Sequence, residues 1–398
     1  MIRSLTSTLR SEWASWPSYS DEEIEAVTRV LRSGKVNQWT GSEIREFEHE
    51  YANELGRRRS IALMNGTVAL ELALLALGVG PGDEVVTTPR TFIASSSVVV
   101  LRGATPVMAD VDRDSGNIGA DEIERVLTPR TKAILVVHLG GWPADMTGIM
   151  DLARTRGIAV IEDCAQAHGA LHRGRPVGSF GDVGAFSFCQ DKVMTTGEEG
   201  GLITLDDEHM FKAAWGYKDH GKGFDTVYNT QHPPGFQWLH DSFGTNWRMT
   251  EPQAAIGRIQ LTRLEASVAQ RTHNAGLWAR HLDEVPALRT PRAPEGDRHC
   301  YYRYYTYVRP EALKSGWDRD RIREELRSAG LGVTAGSCGE IYREEAFIAT
   351  GLSPAERLPV AEELGEPSLA FLTHPTLSEA SIHEAAKLVA EVVNSATR

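Results

Sequence analysis

The sequence predicts an α/β protein: a large layered domain on a mainly parallel sheet of seven strands, followed by a smaller α+β domain. Three observations carry this. Short apolar runs alternate with helical patterns through the first two-thirds of the chain. The stretches between several of these runs can hold a crossover helix, which parallel neighbours require. Near residue 250 the texture changes, which divides the chain into residues 1–250 and 251–398. A length of 398 residues suits such a division.

The elements follow in order. Ser20 and Glu23 form a capping box for a first helix whose apolar face is Ile24, Val27, Val30 and Leu31, with Gly34 as its stop. Strands are expected at Ser60–Met64, Glu84–Thr88, Pro106–Asp110, Ala133–His138, Ile158–Asp163, Val183–Phe188 and Gly201–Thr204. Thr250 and Gln253 cap a helix showing Ile256, Ile259 and Leu264, which leads out of the first domain. Tyr301–Val308 (YYRYYTYV) reads as a strand. Two further helices carry Ile322 and Leu326, then Ile382, Ala385, Ala386, Val389 and Val393.

Composition narrows the function. Lys+Arg at 42 against Asp+Glu at 54 leaves a net charge of −12, which repels phosphate backbones and anionic lipid, so neither nucleic acid nor membrane is an expected partner. No apolar run approaches a membrane span, and the first ten residues lack the apolar core of a secretory signal; a cytoplasmic protein is expected. The four cysteines, at 164, 189, 300 and 338, suggest neither a disulfide framework nor a zinc knuckle, and no metal site is expected among the histidines.

Chemistry concentrates where strands end. GIAVIED closes on Asp163, and ligands of α/β sheets bind beyond the carboxyl ends of strands. Alone, Asp163 reads more readily as a turn cap than as a ligand contact. Gln166 and His168 follow among small residues that admit a flat ligand. Lys192 lies between the apolar strand VGAFSF and a Thr/Gly-rich loop; an amine there sheds its proton more readily than in water and can add to a carbonyl. Together the carboxylate and amine point to pyridoxal 5'-phosphate, which needs a lysine for its aldehyde and an acid for its pyridine nitrogen. Gly66 and Thr67 open a helix whose free N–H groups suit the phosphate, and Ser187 offers a hydroxyl. Phe92 offers a stacking face, or else packs as an ordinary core aromatic.

Six stretches then match one pattern: NGTVALELAL at Asn65, GDEVVTTPRTFIAS at Gly82, HLGGWPADM at His138, IEDCAQAHGA at Ile161, FSFCQDKVMTTGEEGG at Phe186 and GTNWRMTEPQAAIGRIQL at Gly244. Over nearly its whole length the chain resembles the DegT/StrS sugar aminotransferases, fold-type I pyridoxal phosphate enzymes. The resemblance implies that Lys192 carries the cofactor's aldehyde and Asp163 pairs with the ring nitrogen. It places Gln166 and Phe92 on either side of the ring, and Gly66, Thr67 and Ser187 on the phosphate. Asn246 would reach the phosphate of a neighbouring subunit, making a homodimer the active unit, with Arg248 nearby as a candidate for a substrate carboxylate. The implied reaction moves an amino group from glutamate or glutamine to a keto sugar, expected to be nucleotide-linked, for surface polysaccharide or a glycosylated metabolite.

Lys192 also separates the chain from related sugar 3-dehydrases, which carry histidine there. Gly197-Glu198-Glu199-Gly200-Gly201 holds one more acid than the family's usual loop, and Glu198 is read as a surface residue. Tyr342 and Arg343, in CGEIYREEAF, are candidate acceptor contacts. Tyr228–Phe243 either helps close the site or forms a loop anchored by Phe236 and Trp238. Competing readings are an aminocyclitol or 3-amino-5-hydroxybenzoate enzyme on the same scaffold, and a pyridoxal-binding regulator without turnover. The regulator lacks support from a basic helix-turn-helix segment.

Overall fold

A computed structural model describes residues 13–231, 235 and 237–398. In chain order the elements are α1 (Asp21–Ser33), α2 (Glu43–Glu54), β1 (Arg59–Leu63), α3 (Gly66–Ala76), β2 (Glu84–Thr87), α4 (Ala94–Leu101), β3 (Thr105–Met108), α5 (Ala120–Glu124), β4 (Thr131–Val137), α6 (Met146–Arg156), β5 (Ala159–Asp163), a hairpin of β6 (Leu171–His172) and β7 (Arg175–Pro176), β8 (Val183–Ser187), β9 (Gly201–Leu205), α7 (Glu208–Tyr217) and α8 (Phe224–Tyr228). There follow α9 (Glu251–Thr262), α10 (Leu264–Leu282), β10 (Leu288–Arg289), β11 (Tyr304–Val308), α11 (Arg319–Ser328), α12 (Glu345–Thr350), α13 (Pro359–Gly365), β12 (Ser368–Phe371) and α14 (Glu379–Ala396).

The main sheet has the order β1-β9-β8-β5-β4-β2-β3. From β8 to β3 every pair is parallel, and β9 runs antiparallel to both β8 and β1. All seven predicted strands are present. Because the sheet is covered on both faces, its strands are apolar on both: Ile161 of β5 joins Leu70, Leu74 and Trp215 of α3 and α7, while its neighbour Val160 joins Met146 and Ile149 of α6. Behind β8 and β9, Ile44, Phe47 and Tyr51 of α2 pack on Phe186 and Leu202.

A second core begins on α10 and unites Leu277 and Trp278 with Tyr304 and Phe371 of the antiparallel sheet β10-β11-β12, Ile322 and Leu326 of α11, and Ile382, Val389 and Val393 of α14. Helix α9, which opens after Thr250, packs through Ala255 on Ala26 and Val30 of α1 and through Ala254 into the core containing α2. Leu264 belongs to α10 instead of α9.

Two local expectations are corrected. The inward face of α1 is Glu23, Ala26 and Val30, whereas Ile24 and Leu31 are exposed. Glu23 faces inward because one carboxylate serves both the cap, accepting from Ser20 N at 2.7 Å, and the side chains of Gln260 and Arg263. The strand expected from Tyr301 starts only at Tyr304. Tyr301 has φ +50°, and the Cys300 and Arg303 amides bond to Gly141 O (3.0 Å) and Gly140 O (3.2 Å), so residues 300–303 turn across the main domain.

Where β1, α3, β8 and β9 meet, backbone replaces side chain. A Cβ on Gly201 would stand 2.1 Å from Asn65 O. Gly201→Ala should therefore lower the urea midpoint of the cofactor-free protein, by a stability loss of about 1–3 kcal/mol typical of overpacking. An unchanged midpoint would show that the α3 entrance can shift freely.

Candidate functional site

The carboxyl ends of β2, β5 and β8 open into one cavity of about 790 Å³. Period-2 alternation turns Glu162 and Asp163, adjacent at the end of β5, to opposite faces, and Asp163 faces the cavity. Its Oδ2 accepts from Ser95 Oγ (2.8 Å), itself bonded to Thr91 Oγ1 (2.9 Å), and its Oδ1 accepts from Ala165 N (3.1 Å). Burial raises the Asp163 carboxyl above its ordinary value, and the Ala165 amide, the Ser95 hydroxyl and the Lys192 charge only partly offset this. Folding thus makes the charged form of Asp163 costlier than in the unfolded chain, and a cation facing it would offset that cost.

The second piece is the start of α3. Asn65 caps it by accepting from Val68 N (3.0 Å), leaving the first amides and the exposed Thr67 directed at the cavity. A Cβ on Gly66 would lie 2.5 Å from Ser187 Cβ, so the helix entrance and the Ser187 hydroxyl form a cradle only glycine leaves open. That cradle fits a phosphate, and the Asp163 carboxylate fits a pyridinium N–H. Ser187 is steadied from behind: its carbonyl accepts from His168 Nε2 (2.8 Å), whose Nδ1 accepts from Tyr51 (2.8 Å). Burial pushes His168 down to about 4, so it stays neutral.

The third piece is the lysine loop. Lys192 Nζ lies 3.2 Å from Asp191 Oδ1 and 5.2 Å from the centre of the Tyr302 ring. Trp16 Nε1 donates to Lys192 O (3.0 Å), and Tyr19 Oη donates to Gly197 O. The expected loss of basicity is not found. Burial pushes the amine down, but Tyr302 and the Asp191 carboxylate outweigh it and the net shift is upward.

Gln166 spans the domains, accepting from Gly140 N (2.7 Å) and donating to Ser337 Oγ (3.2 Å). Phe92 lines the cavity with 67% of its surface exposed, which is unlike a core aromatic. The structure therefore gathers Gly66, Thr67, Phe92, Asp163, Gln166, Ser187 and Lys192. It does not bring in Asn246, Arg248, Tyr342 or Arg343. Asn246 is exposed and bridges to Asp219 on the loop after α7, while Arg248 Nη1 binds buried Asp219 at 2.5 Å. Tyr342 is buried among Met108, Ile341 and Phe347, with its hydroxyl on Glu340 and accepting from Leu358 N (3.0 Å). Arg343 is exposed and paired with Glu340 at 3.3 Å. From CGEIYREEAF the cavity receives Cys338, Ile341 and Glu344 instead.

Glu198 is exposed and Glu199 lines the cavity. His168 and His172 have a spacing that ligates metals on a helix, but they lie in turn and strand, and His172 bonds Thr147 Oγ1 at 2.8 Å. Phe236 lies outside the described residues, and Trp238 is 80% exposed. All four cysteines are free thiols, and among the described residues no helix is long and apolar enough to cross a membrane. Sequence reading missed Ser95, Asp191, Tyr302 and Arg303. Ser95 and Asp191 stand inside motifs it had singled out, whereas Tyr302 and Arg303 were hidden by strand propensity.

The family profile described as the DegT/DnrJ/EryC1/StrS aminotransferase family matches residues 17–390. The chain is 39% identical over 344 residues to the GDP-perosamine synthase of Caulobacter vibrioides, covering 86% of this chain and 88% of that one. It is 36% identical to the UDP-N-acetyl-3-dehydro-alpha-D-glucosamine 3-aminotransferase of Acidithiobacillus ferrooxidans, covering 93% of each. A solved aminotransferase from Psychrobacter cryohalolentis superposes with a TM-score of 0.94 at 51% identity, covering 96% of this chain and 99% of that one.

The upward shift of Asp163 sets a sign. A carboxyl raised on folding means that the folded state binds more protons, so stability falls as pH rises through the interval from the unfolded value to the raised one. At pH 7 the ionised group costs stability in the cofactor-free protein. Asp163→Asn should leave the urea midpoint of that form equal or higher at pH 7 while weakening cofactor retention on dialysis; a lower midpoint contradicts the assignment.

Proposed function

This chain belongs to the DegT/DnrJ/EryC1/StrS aminotransferase family of pyridoxal-phosphate-dependent transaminases, and on that footing we propose that it transfers an amino group from glutamate or glutamine to the ketone of a nucleotide-linked sugar. The observation that carries the reading is the convergence of the α3 entrance, Asp163 and Lys192 on one cavity. Bound there, pyridoxal 5'-phosphate supplies an aldehyde for amine exchange and a cationic ring that withdraws electrons from the carbon losing its proton.

The chain's own residues do the rest. The Gly66 and Thr67 amides and the Ser187 hydroxyl bind the phosphate at the positive end of α3. Asp163 keeps a proton on the ring nitrogen, and this contact repays the cost of burying its charge. Phe92 and Gln166, both in the cavity wall, would hold the ring between them. The Lys192 amine, freed by the incoming donor, would take the proton from the donor's Cα and return it to the carbon on the other side of the transferred nitrogen. Relatives named for GDP- and UDP-linked sugars support an acceptor carried on a nucleotide.

The active unit is a homodimer, in the cytoplasm. Support comes from Asn246, exposed at the end of a polar loop, with Phe243 99% exposed three residues before it. In the dimer Asn246 binds the cofactor phosphate of the neighbouring subunit and Arg248 approaches the substrate carboxylate. The free thiols suit a reducing compartment.

Lys192→Ala should abolish turnover, by at least a thousandfold, with an unchanged circular dichroism spectrum; borohydride reduction of the wild-type holoenzyme followed by peptide mapping should label Lys192. Label elsewhere refutes the assignment. Shared sites predict complementation: Lys192→Ala and Asn246→Ala chains, each inactive alone, should regain activity when dissociated and reassociated together, because one site of each mixed dimer is intact. No recovery in proven mixed dimers excludes the crossing of Asn246.

A further inference from the structure

We infer that Asp191, held by Tyr302 and Arg303, is a positioning residue that docks the Lys192 side chain whenever that lysine is off the cofactor. The inference deepens the proposed function and rests on Lys192 being the cofactor lysine. The two oxygens of Asp191 have separate duties: Oδ1 is 3.2 Å from Lys192 Nζ, while Oδ2 accepts the Tyr302 hydroxyl and faces Arg303 Nη2 at 3.5 Å. The Arg303 guanidinium stacks on the Tyr302 ring at 4.2 Å and donates to Tyr302 O at 3.1 Å, so the pair is rigid. The carboxylate is thus fixed from the turn before β11, on a different part of the chain from the lysine loop.

The other groups facing Lys192 do not compete for this duty. Asp163 is occupied by Ser95 and Ala165 and serves the ring nitrogen. His168 is neutral, and Cys189 is pushed upward, first by burial, and so remains a thiol. Glu199 is raised by burial and by Glu198, which outweigh the Lys192 charge, and the ion pair of the amine is with Asp191. Trp16 touches only the Lys192 carbonyl. Asp191 alone moves the other way, lowered by Lys192, Tyr302 and Arg303 against its burial.

A docked amine is an ammonium, and an ammonium has no lone pair. Asp191 therefore sets how much neutral amine exists at a given pH and where it waits during the half-reaction in which it is displaced. This is testable in the cofactor-free protein by acetylating with acetic anhydride across a pH series and reading each lysine by peptide mass spectrometry, with exposed Lys35 and Lys132 as internal references. Asp191→Asn should move the Lys192 labelling midpoint to lower pH and raise its labelling near pH 8 about tenfold for each unit moved. Tyr302→Phe should move it partway in the same direction, and Asp191→Glu should restore it. An Asp191→Asn midpoint that is unchanged or higher, with the references constant, overturns the docking role. Mapping the borohydride label in the wild-type holoenzyme separates this failure from failure of the underlying reading: label away from Lys192 removes the lysine's role, and the inference with it, whatever the midpoints.

Discussion

Adjacent acids at the end of β5 set the constraint on which the site is built. The pleat sends Glu162 to one face of the sheet and Asp163 to the other, so neither can turn without turning its neighbour. Glu162 is fully buried and accepts the amides of Gly178 (2.7 Å), Phe180 (2.7 Å) and Gly181 (2.8 Å), with His138 Nε2 at 3.2 Å. Burial would raise this carboxyl, but His138 and the amides more than compensate and hold it below its ordinary value. An ionised Glu162 thereby ties the loop entering β8 to the end of β5. The same strand presents Asp163 to the cavity at fixed depth, with Ser187 at the end of the adjacent parallel strand. Anchoring and chemistry are two faces of one dipeptide.

The cavity's outer wall comes from another part of the chain. Residues 300–303 bond back to the Gly140–Gly141 turn, Gln166 reaches Ser337, and Trp16 joins the lysine loop while Arg271 stacks on its ring at 5.0 Å. These links are polar, and beneath them shared apolar clusters join the same parts of the chain: Cys300 and Tyr302 pack with Phe186 and Phe188, and Tyr307, Ala361 and Leu364 pack with Val86 and Ile134. Apolar packing holds Tyr302 in place, and the hydrogen bonds of residues 300–303 set the direction from which Tyr302 and Arg303 face the lysine.

Legibility in the sequence follows the same division. Strands buried on both faces announce themselves by apolar runs, and all seven were readable; their ends then located Asp163, Ser187 and Lys192. What periodicity could not give was orientation at a single turn. Ile24 and Leu31 carry the apolar signature of a buried face, but the capping and ion-pairing duties of Glu23 rotate α1 away from it. YYRYYTYV has uniform strand propensity, and only the positive φ of Tyr301 and the crossing bonds to Gly140 and Gly141 break it. Tyr342 stood in a stretch that does reach the cavity, through Cys338, Ile341 and Glu344; the phase within that stretch decides which side chains enter, and Glu340 and Leu358 hold the tyrosine outside. Asn246 and Arg248 fall outside the cavity of this chain, held against Asp219, and the role proposed for them is one in an assembly.

Charge gives that last point its force. Among the described residues lining the cavity the cations are Lys192 and Arg303, against the carboxylates of Asp163, Asp191, Glu199 and Glu344. An amino-acid donor brings at least one carboxylate, and a nucleotide-linked sugar brings a pyrophosphate. Arg303 already faces Asp191 at 3.5 Å, and Lys192 is needed for proton transfer. A single chain therefore presents too little positive charge for either substrate, since an uncompensated anion in a partly desolvated site pays heavily for its lost water. In the dimer proposed above, further donors come from the second copy, and a loop carrying exposed Asn246 beside Arg248 is a segment it can supply.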